Sequence, residues 1–214
     1  MKYSLVIFDL DGTILNTLDD LAICCNYVLE KNGFPLHSKD EVRFMVGNGI
    51  PNLIKKALPK DTDEKTCQKV LQEFLDYYNQ HASDNTKPYE KIEECLLKLK
   101  QKGIKLAVNT NKAQQAAATL CEHFFPSIFD YVVGQCKERN IKPSCDGVNY
   151  ILQMANAKNA IYVGDSDVDI QTAHNANIDV IGVEWGFRGK EFLLINGATK
   201  TAKDAEQLYK LLTE

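Results

Sequence analysis

Five short runs of almost unbroken apolar residues recur along the chain, at 5–8, 106–108, 131–133, 161–163 and 180–183, with helix-like spacing of apolar residues between them. Each run is too short for a helix, and none alternates polar with apolar. Such runs read as strands buried on both faces, and their separation by helical segments implies a parallel sheet covered by helices, an α/β fold. Leu96 and Leu99 mark one of the intervening helices, which opens near Glu90 and ends in lysines followed by Gly103.

One interval breaks this rhythm. Between the first strand and the Glu90 helix lie about seventy residues that read as helices only. Leu18, Leu21, Cys25, Val28 and Leu29 share one helical face, Ser38 and Glu41 have capping-box spacing, and Cys67, Val70, Leu71, Phe74 and Leu75 mark a further helix. The expected organisation is a core of residues 1–15 and 84–214 with a helical domain of residues 16–83 inserted into it. Asn16 and Thr17 form the outgoing linker and the polar stretch 83–88 the return, so a two-stranded hinge is expected between the domains.

Composition narrows the classes. With 214 residues, 44% hydrophobic and 25% charged, the chain suits one core plus a small second domain and not a disordered, collagenous or membrane-bundle protein. Lys and Arg number 25 against 29 Asp and Glu, a formal charge of -4, so no overall positive field favours nucleic acid. Seven cysteines lack C-x-x-C or zinc-finger spacing, which fits a reducing compartment. The apolar N-terminal run ends in Asp9 and Asp11, and no stretch reaches the length of a membrane span. A cytoplasmic protein with neither a nucleic-acid nor a membrane partner is expected, with the choice of monomer or dimer open.

Polar residues follow the apolar runs at once: Asp9 and Asp11 after the first, Thr110 and Asn111 after the second, and Asp165 and Asp169 after the fourth. Lys142 comes shortly after the third. In a parallel sheet, ligands bind outside the carboxyl ends of the strands where strand order reverses, so these residues are expected to converge. Asp9 and Asp11 leave their strand together, and Gly12 lets the backbone turn beside them. Asp165 and Asp169 would repel each other as an i, i+4 pair, and the repulsion is relieved if a divalent cation sits among the acids. Hard carboxylate oxygens with few His or Cys favour Mg²⁺ over zinc. For some of these acids the ordinary alternative is a helix cap, for Thr110 another cap, and for Lys142 a solvated surface lysine.

Together these groups suit phosphoryl transfer. A carboxylate can act as nucleophile, a metal and a lysine can neutralise phosphate charge, a hydroxyl can donate to its oxygens, and a second carboxylate can move protons.

The segments Asp9-Leu10-Asp11-Gly12-Thr13, Val108-Asn109-Thr110-Asn111-Lys112, Lys142-Pro143 and Gly164-Asp165-Ser166-Asp167-Val168-Asp169 resemble the motifs of haloacid-dehalogenase-like phosphatases. The insertion, Val46-Gly47-Asn48-Gly49 and Glu184-Trp185-Gly186-Phe187 resemble phosphoglycolate phosphatases and their relatives. The resemblance implies a Rossmann-like core with an inserted helical cap, and Mg²⁺-dependent hydrolysis of a small phosphorylated metabolite. It assigns Asp9 as nucleophile and metal ligand, and Asp11 as general acid/base and ligand through its carbonyl. Asp165 becomes a further ligand, Asp169 a support of the metal shell, and Thr110 a phosphoryl-binding group with Asn111 adjacent. Lys142 bridges Asp9 and phosphate. Arg43 with Gly47 and Gly49 are the candidates for contacting the leaving group.

Phosphomutase and pyrophosphatase chemistry fit the same scaffold. Dehalogenases and phosphonatases resemble it less, because they lack an acid at the position of Asp11. A non-catalytic phospho-Asp receiver shares the Asp, Thr and Lys placement but has no inserted domain.

Overall fold

The computed structural model describes residues 2–214. Its strands are β1 (Leu5–Phe8), β2 (Leu15–Asn16), β3 (Lys87–Pro88), β4 (Lys105–Ala113), β5 (Tyr131–Gln135), β6 (Ala160–Gly164), β7 (Asp179–Val183) and β8 (Lys200–Ala202). Its helices are α1 (Leu18–Lys31), α2 (Lys39–Met45), α3 (Gly49–Ala57), α4 (Glu64–His81), α5 (Ile92–Gln101), α6 (Gln114–Phe124), α7 (Asp146–Ala155), α8 (Asp167–Asn175), α9 (Lys190–Ile195) and α10 (Ala205–Thr213).

The chain divides into two compact units, one running to Leu15 and resuming over Pro88–Glu214, the other being Asn16–Lys87. In the first unit six strands form a parallel sheet in the order β5-β4-β1-β6-β7-β8. The continuous apolar run of β1 follows from this position, since every side chain in it must face a covered surface. Val6 and Phe8 point to one face, where they pack with Leu96 and Leu99 of α5, Leu120 of α6 and Leu208 of α10. Leu5 and Ile7 point to the other, among Val148 and Ile151 of α7, Ile170 of α8 and Leu193 of α9.

Chain order runs outward from β1 through β4 to β5, then returns to the opposite side of β1 as β6, β7 and β8. The reversal places the carboxyl ends of β1, β4 and β6 side by side, at the type of crevice where open α/β sheets bind ligands. The edge strand β8 escapes the hydrophobic pattern because it has three residues, of which only Ala202 is buried.

In the second unit, α1 buries Leu18, Leu21, Cys25, Val28 and Leu29 together with Cys24, while α4 buries Val70, Phe74 and Tyr78. The capping box of Ser38 and Glu41 forms at the start of α2. The return crossing lies at Lys87/Pro88, four residues beyond the 83/84 boundary read from polarity. The cause is Asp20, a buried carboxylate on α1 that accepts hydrogen bonds from the main-chain N–H groups of Asn85 and Thr86 and from both side chains. These bonds make the polar return segment part of the helical unit. Among the described residues, no helix is long and apolar enough to cross a membrane.

Candidate active site

The first unit collects four acids and two lysines at the carboxyl ends of β1, β4 and β6. Asp9, Asp165 and Asp169 each present a carboxylate oxygen within 4.8 Å of the others, and all three are buried. Lys142 reaches in from the segment after β5, its Nζ lying 2.8 Å from Asp9 Oδ1 and 2.7 Å from Asp169 Oδ1. Lys142 is 4% exposed, so it is not a solvated surface lysine.

Each acid is held by identifiable partners. Thr13 donates its hydroxyl to Asp165 Oδ1 at 3.0 Å, and the Phe187 N–H donates to Asp165 Oδ2 at 2.7 Å. Asp169 Oδ2 accepts from the N–H groups of Asp165 and Ser166 and from the Ser166 hydroxyl. Because Ser166 and Asp169 also form the capping box of α8, Asp169 both caps the helix and anchors Lys142. Its Oδ2 already has three donors, whereas each oxygen of Asp165 keeps a lone pair beyond its single bond.

Packing around Asp165 depends on two glycines. A Cβ on Gly186 would stand 2.2 Å from the Asp165 Cβ, and one on Gly12 would stand 2.5 Å from Asp165 Oδ2. Gly12 also has φ +84, which L side chains rarely adopt. The Glu184–Phe187 segment therefore supplies a close backbone wall and an N–H donor, roles that side-chain chemistry does not reveal.

The end of β4 is irregular. Asn109 pairs with Val133 and Ala113 with Gln135, so four steps on β4 face two on β5. Within this irregular stretch Thr110, Asn111 and Lys112 are all buried. Thr110 Oγ1 accepts the Lys112 N–H at 3.2 Å, leaving its own proton to donate. Asn111 accepts the Lys142 N–H and donates to the Lys142 carbonyl, at 2.7 and 3.1 Å. The Asn111 side chain thus grips the main chain of Lys142 through both of its polar atoms. Lys112 Nζ lies 3.0 and 3.2 Å from the two oxygens of Asp11, an ion pair that sequence reasoning missed because its members are 101 residues apart.

Electrostatics mark the cluster as unbalanced. Burial, reinforced by the charge of Asp169, pushes the Asp9 carboxyl up to about 7. Burial also raises Asp165 well above the usual carboxylate range, with Asp169 and Asp9 adding to the effect. For Lys142 burial alone would lower the ammonium, but Asp169 and Asp9 outweigh it and hold it well above an ordinary lysine. Asp9, Asp11, Asp165 and Asp169 against Lys112 and Lys142 leave a formal charge of -2 when all are ionised. A divalent cation with oxygen ligands matches that surplus, and carboxylate oxygens of three acids gathered within 4.8 Å of one another offer it the hard oxygen donors that Mg²⁺ takes. The residues present therefore fit the ion.

Arg43, Gly47 and Gly49 belong to the helical unit. Arg43 lies 3.6 Å from Asp40 and its guanidinium stacks over the Phe44 ring at 4.9 Å. Gly47 and Gly49 flank the turn between α2 and α3, with φ of +132 and +79.

A family description of haloacid dehalogenase-like hydrolases matches residues 6–183, and the chain belongs to that family. Its relatives include the phosphoglycolate phosphatase of Vibrio parahaemolyticus serotype O3:K6, 30% identical over 217 residues that cover 97% of this chain and 95% of that protein. The phosphoglycolate phosphatase of Pseudomonas savastanoi pv. phaseolicola is 30% identical over 191 residues, covering 86% of this chain and 70% of the relative. A crystal structure from Lactobacillus delbrueckii subsp. bulgaricus, provisionally assigned as a phosphoglycolate phosphatase, matches with a TM-score of 0.95 and 33% identity over 99% of both chains.

Proposed function

We propose that this protein hydrolyses a small phosphomonoester through a phosphoaspartate on Asp9, with Mg²⁺ held by the carboxylates of Asp9 and Asp165 and the carbonyl of Asp11, and with Asp169 supporting that shell. The observation that carries the reading is the bridge of Lys142 between Asp9 and Asp169 inside a buried cluster with surplus negative charge. A phosphomonoester repels an attacking carboxylate because both are anions. Lys142 offsets that repulsion and Thr110 donates its hydroxyl to a phosphoryl oxygen, which together hold the in-line geometry. Bound Mg²⁺ would add further charge neutralisation of the phosphoryl group.

An Asp9 oxygen forms the bond to phosphorus as the ester P–O bond breaks, and Asp11 gives its proton to the leaving oxygen. Asp11 then takes a proton from water as that water attacks the phosphoaspartate, releasing inorganic phosphate and restoring Asp9. Asn111 acts by fixing the main chain of Lys142. The substrate class is a small phosphorylated metabolite of the phosphoglycolate kind, by likeness to the relatives, with Arg43, Gly47 and Gly49 as the leaving-group side. A cytoplasmic setting, without nucleic-acid or membrane partners, belongs to the same reading.

The test is a screen of phosphoglycolate, pyrophosphate, sugar phosphates and nucleotides for phosphate release, with and without Mg²⁺, by wild type and by Asp9→Asn. Release that requires both Mg²⁺ and Asp9 is expected. Turnover that survives both the chelator and the substitution overturns the proposal.

A further inference from the structure

The Lys112–Asp11 pair gives the end of β4 a third task beside those of Thr110 and Asn111. Lys112 is a lysine with a side chain only 3% exposed, and its ammonium spans both oxygens of Asp11. Asp11 does not belong to the cluster formed by Asp9, Asp165 and Asp169, although it lies only two residues beyond Asp9. A carboxylate two residues from one member of a crowded three-acid cluster has two alternatives to its observed place. It can rotate toward a cation in that cluster, or swing out toward solvent, and in neither position would it be fixed for proton transfer. The ion pair excludes both by tying the turn after β1 to the neighbouring strand of the sheet.

We infer that Lys112 is a positioning residue for the reaction, holding the Asp11 carboxylate at the place from which it serves the leaving-group oxygen. The local geometry supports this assignment in two further ways. The irregular stretch of β4 that carries Lys112 also carries Thr110, and the Lys112 N–H is bonded to the Thr110 hydroxyl oxygen. One three-residue segment therefore sets the phosphoryl donor, the main chain of Lys142 and the proton-transfer carboxylate with respect to one another. Lys112 itself forms no bond to reacting atoms in this role. Asp11 takes up a proton from solvent ahead of the reaction and passes it to the ester oxygen as the P–O bond breaks and the Asp9–phosphorus bond forms.

The inference rests on the phosphatase reading and is tested through the leaving group. An alkoxide needs a proton to depart and 4-nitrophenolate does not, so kcat/KM for an alkyl phosphate relative to that for 4-nitrophenyl phosphate reports how well Asp11 is placed. This ratio does not depend on the fraction of enzyme that is folded. Lys112→Met and Lys112→Gln are expected to lower it by about tenfold or more, in the direction produced by Asp11→Asn. Lys112→Arg is expected to retain more of the ratio than either, and Lys112→Met in the Asp11→Asn background to lower it no further. An equal loss on both substrates, or a further independent loss in the double variant, overturns the inference while leaving the phosphatase reading in place. Absence of Mg²⁺-dependent release from every ester by wild type overturns both.

Discussion

Asn111 and Lys142 are joined by two reciprocal hydrogen bonds, the Lys142 N–H to Asn111 Oδ1 at 2.7 Å and Asn111 Nδ2 to the Lys142 carbonyl at 3.1 Å. The bonds fix the main chain from which the lysine side chain departs, and beneath it Tyr162 forms a buried floor, its ring centroid 5.8 Å from Lys142 Nζ. Tyr162 is itself held by donating to the Asn109 carbonyl at 2.8 Å. The ammonium between Asp9 and Asp169 is thus placed by neutral groups on β4 and β6 as well as by the charges it meets.

A kinetic signature follows for Asn111. If its amide serves Lys142, Asn111→Ala misplaces the ammonium and lowers kcat by about tenfold or more, because small errors in position are costly where a charge must meet a transition state. KM should change by less than about threefold. Steady-state kinetics on the best substrate from the screen decide the matter. A loss carried mainly by KM would show that the amide contacts substrate directly.

Gly186 tests the packing around Asp165 without disturbing charge. Its added Cβ would meet the Asp165 Cβ at 2.2 Å and the Gly12 carbonyl oxygen at 2.6 Å, and neither backbone nor a short buried side chain can move aside cheaply. Gly186→Ala should cost about 1–3 kcal/mol of stability by overpacking and weaken Mg²⁺ binding by about tenfold or more through displacement of Asp165. Gly103 supplies the control. Its φ is +78 but nothing lies within 4 Å of an added Cβ, so Gly103→Ala strains the backbone far from the acids. Calorimetric titration with Mg²⁺ should find its affinity within about twofold of wild type, and equal weakening in both variants would disprove the steric account.

How far the chain alone discloses this architecture depends on the range of each interaction. The strands β1, β4, β5, β6 and β7 were legible because double-sided burial leaves an uninterrupted apolar run. Asp9, Asp11, Thr110 and Asp165 were legible because unusual polar residues directly follow those runs. Asp169 was ambiguous for a physical reason, since an acid in the first turn of a helix is favoured by capping alone, and here it both caps α8 and anchors Lys142. Lys112 was seen only as part of a motif. A lysine is ordinary in composition until its partner, on another strand, is known. The contribution of Gly186 and Phe187 was hidden because it comes from a missing side chain and a main-chain N–H. The return crossing falls inside the polar stretch 83–88, but polarity alone does not fix its point within that stretch, because a buried acid such as Asp20 captures part of it.

The buried acids also set a pH dependence of stability, because burial and the charge of Asp169 outweigh the pairing of Asp9 with Lys142. In the metal-free protein Asp9 titrates near 7 instead of at its ordinary value of 3.8, first because it is buried and then because Asp169 is charged. Between those two values the folded chain holds a proton that the unfolded chain has released, so stability falls as pH rises through the window. This contribution is fully present below about pH 4 and is lost above about pH 7. Mg²⁺ favours the ionised carboxylates and binds only the folded arrangement, so its stabilising effect must grow over the same range. Thermal unfolding with a chelator and with saturating Mg²⁺ should give a Tm increment larger at pH 8 than at pH 5 by at least about 3 °C. Asp9→Asn, which removes one of the crowded charges, should raise the metal-free Tm at pH 8 and shrink the difference between the two increments. Equal increments at both pH values in wild type would show that the surplus charge at β1, β4 and β6 is not what the cation answers.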